Sequence, residues 1–97
     1  MTQERFAIRS DPEVLEELGR RLAAVRAARG LTQSEAAEQA GLGRATVSRA
    51  EQGENPNLLT VVRLLRVYGR LDALDAFLPE PEVSPLALIR SARRDRG

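Results

Sequence analysis

The 97-residue sequence has no cysteine, no histidine, no tryptophan and no lysine. Without cysteine there is neither a disulfide framework nor a thiolate metal site, and without histidine the commonest general base and metal ligand is missing. Metal and acid-base catalysis therefore have little to build on, and no catalytic residue, metal or cofactor is expected. Only three aromatics occur, Phe6, Tyr68 and Phe77, so the core of so short a chain has to be made of Leu, Val and Ala packed between helices. No apolar run approaches the ~18 residues of a membrane span, and the N-terminal MTQERFAIRS has no signal-peptide core. The cytoplasm is the expected compartment.

What is present is charge, balanced in sum and segregated in sequence. The formal net charge is +1. Residues 1 to 19 carry two Arg against five acids, for −3, whereas residues 20 to 49 carry six Arg against Glu35 and Glu38, for +4. Residues 50 to 69 balance, 70 to 85 give −3, and 86 to 97 give +3. All fifteen basic residues are Arg. That choice suits bidentate contact with phosphate or guanine, and a GC-rich coding sequence would produce the same bias with no functional cause.

The stretch Leu31 to Gly53, LTQSEAAEQAGLGRATVSRAEQG, falls in the positive block and reads as two short helices joined by a glycine turn. Thr32 and Glu35 have the spacing of a reciprocal capping box, which starts the first helix near Gln33. Ala36, Ala37 and Ala40 make its inward face small enough for close crossing, and Gly41 ends it in the left-handed conformation. Leu42 is expected at the buried corner. The second helix runs from Arg44 to Gln52, with Val47 and Ala50 inward and Arg44, Ala45, Ser48 and Arg49 outward. This is a helix-turn-helix over residues 32 to 52, the arrangement whose second helix enters the DNA major groove.

Around it, Ser10-Asp11-Pro12-Glu13 signals a helix start, and a helix to about Ala28 places Leu15, Leu18, Leu22 and Val25 on a buried stripe. Glu54 to Asn57 form a turn. Leu58 to Tyr68 follow as a helix with Leu58, Val61, Val62, Leu64 and Leu65 inward, and Leu71 to Leu78 as another with Leu71, Leu74, Phe77 and Leu78 on one face. Residues 1 to 9 form an N-terminal arm, weakly patterned, in which Arg5 to Ile8 read either as a short strand or, the favoured reading, as part of a partly ordered terminus. Residues 79 to 97 form a tail, extended through Pro79 and Pro81, in which Ser84-Pro85 can start a short helix through Leu86, Leu88 and Ile89. The fold class is all-α, five helices over residues 10 to 78 with a Pro-containing tail.

Arg26, Gly30 to Gln33, Ala37, Ala40, Gly41, Thr46 to Arg49, Glu51 and Gly53 together resemble the pattern of the Cro/C1-type (Xre) helix-turn-helix family, over residues 18 to 69. The resemblance implies a lambda-repressor-like fold and a homodimeric repressor, associated with the nucleoid, on a palindromic operator in double-stranded DNA. Carried over position by position, it puts Arg44, Ala45 and Arg49 of the recognition helix (residues 44 to 52) at base edges. Thr46 and Ser48 then lie near backbone or base, and Gln33 near a phosphate. It also implies that Arg26 pairs with Glu51 as a structural ion pair, a DNA contact by Arg26 being the alternative, and that Leu71, Leu74 and Phe77 form the dimer interface. Two positions depart from the pattern. Gly43 stands where a capping Ser or Thr usually begins the recognition helix, and Glu54 where Lys or Arg often contacts phosphate. The C-terminal LDALDAFLPEPEVSPLALIRSARRDRG is similar to HipB-type antitoxins, which implies a HipA-like kinase toxin as a further partner; a generic dimerising regulator with a basic tail accounts for the same residues. The competing class is a protein-interaction module of this fold that has lost DNA binding, favoured by the balanced net charge and by Glu54.

Overall fold

The computed structural model describes residues 4 to 82 and 84 to 96, and of Glu4, Arg5 and residues 94 to 96 only the backbone. Among the described residues there are seven helices and no strand: α1 (Glu4–Ala7), α2 (Asp11–Ala28), α3 (Gln33–Ala40), α4 (Arg44–Glu51), α5 (Leu58–Val67), α6 (Ala73–Phe77) and α7 (Pro85–Arg96). The five helices expected over residues 10 to 78 are α2 to α6. Residues 1 to 3 of the arm and Gly97 of the tail lie outside the described residues.

Local chemistry explains where the helices begin and end. Ser10 caps α2, its hydroxyl accepting the Glu13 N–H while the Glu13 carboxylate accepts the Ser10 N–H at 2.9 Å. Thr32 and Glu35 repeat the device at α3, at 3.1 and 2.8 Å. In both pairs the hydrogen bond from the capping residue's backbone is the main reason the glutamate carboxyl titrates below its ordinary range. Gly41 ends α3 at φ 69°, where a Cβ would clash with the carbonyl that follows it. α4 starts at Gly43 with no side-chain cap, and α5 starts at Asn57, whose Oδ1 accepts the Thr60 N–H at 2.8 Å.

The core is Leu22 of α2, Ala36 and Ala37 of α3, Val47 and Ala50 of α4, and Leu64 and Tyr68 of α5 and its end. Val25, Leu31, Ala40, Leu42, Leu65 and Val67 pack partly buried against it. Two residues placed inward on sequence grounds stand outside. Leu18 is 40% exposed, because α2 turns Gly19, Leu22 and Arg26 toward α4 and leaves Leu18 at the edge of that face. Leu58 is 69% exposed, because the inward face of α5 is centred on Thr60, Leu64 and Tyr68, each four residues from the next. The arm is a single helical turn and not a strand. It is held to α2 by the Arg21 guanidinium, 4.5 Å above the Phe6 ring centroid, and by Arg9, 3.5 Å from Glu17. The tail helix continues past Ile89 to Arg96.

Gly19 sets the approach of α2 and α4. A Cβ there would lie 2.4 Å from the Glu51 carbonyl oxygen and 2.8 Å from that of Ala50, backbone atoms that cannot swing aside. Gly19→Ala should therefore destabilise the domain by about 1–3 kcal/mol in spite of the ~1 kcal/mol that alanine gains in helix propensity. Thermal unfolding of the pair measures it, and an unchanged or raised Tm would show that the two helices can separate at little cost.

Candidate nucleic-acid interface

α4 is fixed from beneath and open above. Val47 and Ala50 are fully buried against α2, α3 and α5, whereas Arg44, Ala45 and Arg49 are exposed and Thr46 and Ser48 half-buried along the outer face. Two arginines and a methyl thus project from a helix that cannot rotate without exposing its buried face. Ser48 sits lower on the same side, its hydroxyl accepting the Gln52 amide at 3.1 Å.

The end of α4 is anchored by one carboxylate. Glu51, with a side chain 6% exposed, accepts from Arg26 Nε at 2.6 Å and Arg26 Nη2 at 3.1 Å, and from the Gln33 amide at 3.0 Å. Arg26 Nη1 also donates to the Leu31 carbonyl at 2.7 Å. One side chain of α2 therefore holds α4 and the loop before α3 together, while Gln33 couples the start of α3 to the same acceptor. The Glu51 hydrogen bonds are the main cause of the upward shift of the Arg26 guanidinium's already high pKa.

Two features escaped the sequence reading. Arg20, a surface residue by pattern, lines one shallow depression with Gln33, Ser48, Glu51 and Gln52, beside α4. The i, i+4 spacing of Glu16 and Arg20 puts both on the side of α2 that faces this depression, the signal that could have placed them. Asn57 in the loop caps α5 with its side-chain carbonyl oxygen, and Asn55 holds a left-handed turn at φ 47°. Glu54 is exposed next to them. Among the described residues no three acidic side chains converge as a metal site, and no helix is long and apolar enough to cross a membrane.

Residues 17 to 78, from the middle of α2 through the end of α6, match a family model described as a helix-turn-helix domain. The chain belongs to the helix-turn-helix domain family. It is 42% identical over 65 residues to the HTH-type transcriptional regulator PuuR of Escherichia coli (strain K12) and, to the same degree, to that of Shigella flexneri. Each match covers 66% of this chain and 34% of the relative, so the chain spans about a third of the length of these curated relatives. The helix-turn-helix is α3 and α4, with Gly41, Leu42 and Gly43 as the turn, and α1 and α7 fall outside the matched region.

Beneath the helix-turn-helix lies Tyr68, fully buried, with a hydroxyl that finds no hydrogen-bond partner among the described residues. Burial first, and then the negative charge of Glu51, push its pKa up to about 12, against the opposing effect of Arg26. The sign follows from linkage: a folded-state value above the ordinary 10 favours the protonated, folded form, so stability is complete below pH 10 and is lost as the pH rises through about 12. As Tyr68 is the sole tyrosine, its phenolate absorbance reports the titration directly, with an expected midpoint near pH 12. Tyr68→Phe should abolish that alkaline loss and cost little at neutral pH, because it removes an unpaired hydroxyl. A midpoint near 10 in the folded protein would mean that the ring is hydrated.

The ion pair gives a second expectation. Arg26→Ala or Glu51→Ala leaves the other charge buried and should cost about 3–5 kcal/mol, lowering DNA affinity only through unfolding. A double-mutant cycle on Tm measures the coupling; near-zero coupling would remove the pair from the account of stability.

Proposed function

We propose that the protein is a sequence-specific DNA-binding transcriptional regulator of the Cro/C1 (Xre) type, a homodimeric repressor on a palindromic operator. The observation that carries this is the outer face of α4, where Arg44, Ala45 and Arg49 are exposed over the buried Val47 and Ala50. In this reading Arg44 and Arg49 each bond guanine O6 and N7, and Ala45 meets a thymine methyl, so that the half-site contains G and T. Thr46 and Ser48 lie close enough to the DNA backbone to contact phosphate or base. Gln33 and the first turn of α3 meet a phosphate, and the hydrogen bond from Gln33 to Glu51 ties that contact to the position of α4. The PuuR relatives are HTH-type transcriptional regulators, which supports the same class of function.

Dimerisation through Leu71, Leu74 and Phe77 belongs to this proposal. Leu71 and Leu74 are half-buried, and Phe77 is 67% exposed beside an exposed Leu78, more apolar surface on one short helix than a monomer leaves open without use. The similarity of the tail to HipB-type antitoxins supports a HipA-like kinase toxin as an additional partner, and the neighbouring gene would identify it. Exposed Glu54 favours the second reading, an interaction module without DNA binding.

Arg44→Ala and Arg49→Ala should fold and dimerise normally yet bind the operator more weakly by ~1–3 kcal/mol each, relaxing the preference at one base position per half-site. Gln33→Ala should weaken binding to all sequences alike. Selection from random DNA should return half-sites about one helical turn apart, ~34–36 Å. If no palindrome emerged, or if both Arg variants bound the selected site as tightly as the parent, the repressor reading would be replaced by the interaction module.

A further inference from the structure

The part of the chain beyond α6 has the features of a helix without its partner. Every described residue from Asp75 to Arg93 is exposed, including Leu86 at 57%, Leu88 at 59% and Ile89 at 50%. α7 is nonetheless well specified locally: the Ser84 hydroxyl accepts the Ala87 N–H at 3.1 Å, Pro85 occupies the first turn, and Arg residues gather toward the end where the helix dipole favours them. Twelve residues make a helix that is marginal in water on its own, so these apolar groups call for a surface. The Cα radius of gyration, 17.5 Å, exceeds the ~12.5 Å of a compact domain of this length, as a helix standing off the body requires.

The surface it fits is α6. On α7, Leu86, Ile89, Arg90 and Arg93 recur at intervals that share one face, an apolar ridge with a basic flank. On α6 and its approach, Leu74, Phe77 and Leu78 form an apolar ridge flanked by Asp72 and Asp75, both exposed. The charges are complementary, and the blocks containing them are −3 over residues 70 to 85 and +3 over 86 to 97. The seven residues between the two helices include Pro79 and Pro81, which fix φ and favour an extended path. At ~3.1 Å per residue that path spans about 20 Å, which carries α7 away from its own α6 and within reach of another.

We infer that α7 is an exchanged arm: in the dimer, α7 of each copy lies on α6 of the other, with Leu86 and Ile89 against Leu74 and Phe77 and with Arg90 and Arg93 beside Asp72 and Asp75. The inference rests on the dimer reading above and adds to it the element that covers Phe77.

A charge exchange in the full chain tests it. One variant carries Arg90→Glu and Arg93→Glu, the other Asp72→Arg and Asp75→Arg. Each alone places like charges across both arm contacts and should self-associate at least about tenfold more weakly than the parent by sedimentation, with helicity by circular dichroism unchanged. Mixed in equal amounts they restore opposite charges at both contacts and should form a one-to-one dimer of parental affinity. An arm folded on its own α6 would gain nothing from mixing. The inference is overturned if either variant alone associates as tightly as the parent or if mixing restores nothing. Phe77→Asp separates the two levels: if it is monomeric while both charge variants dimerise like the parent, the α6 interface stands and the exchanged arm falls. A parent that is itself monomeric at tens of micromolar removes both.

Discussion

The Glu51 carboxylate is the point through which helices α2, α3 and α4 are referred to one another. It closes α4, accepts two hydrogen bonds from α2 and accepts a third from the first residue of α3. Burying a charge is costly unless every lone pair finds a donor, and the planar fork of Arg26 meets two of them at once while its remaining nitrogen reaches the Leu31 carbonyl. A lysine at position 26, a point charge on a flexible stem, would satisfy fewer of these directions. What the arrangement supplies is cohesion of the folded domain: Val47 and Ala50 hold α4 down, and Glu51 ties its end to α2 and to the start of α3.

Close approach is the condition for that geometry. Arg26 reaches Glu51 because α2 crosses α4 at Gly19 with no side chain between them, and Gly53 repeats the device on the far side, where a Cβ would lie 2.8 Å from the backbone of Leu15 and Glu16. The small residues of α3, Ala36 and Ala37, do the same for its own crossing. A core built with few aromatics is adequate here because the helices come so near one another that small side chains fill the space. The one large ring of the core, Tyr68, occupies what is left, and its hydroxyl lies in the field of Glu51 and Arg26.

The caps, the glycine turn and the alternation on α4 were legible in the sequence because each is a local signal: Thr32 with Glu35, Gly41, and Val47 with Ala50 declare themselves within one or two turns of chain. Helix rotation was less legible. Leu18 and Leu58 fit an apolar stripe by spacing, yet the buried faces are set by where α4 crosses and by a stripe of Thr60, Leu64 and Tyr68, information carried by the partner helix and not by the segment itself. The second role of Gln33, as a donor to Glu51 eighteen residues away, is a tertiary contact of the same kind. Glu17 shows the limit most clearly. It is 4% exposed on the side of α2 away from the core, buried by the arm and by Arg9, Arg20 and Arg21, which gather around it, and a helical wheel would leave it in water.

That gathering bears on how the charge of the surface is distributed. Arg20 and Arg21 belong to the positive block of the sequence, but in space both are engaged with Glu17, so part of the +4 is neutralised within α2 itself. The cationic side chains on the outer face of α4 are Arg44 and Arg49. On the proposed reading, in which both arginines are directed at bases and the acidic Glu54 lies in the following loop, phosphate contacts are few, and nonspecific affinity and salt dependence are correspondingly modest. One such helix contributes only a few kcal/mol of discrimination. Duplicating it about a twofold axis adds the second half-site without a second cost of bringing protein and DNA together. In the proposed dimer the exposed apolar face of α6 and the projecting α7 are the functional counterparts of the sparse contacts proposed for α4: a recognition surface with so few contacts gains specificity chiefly by being presented twice.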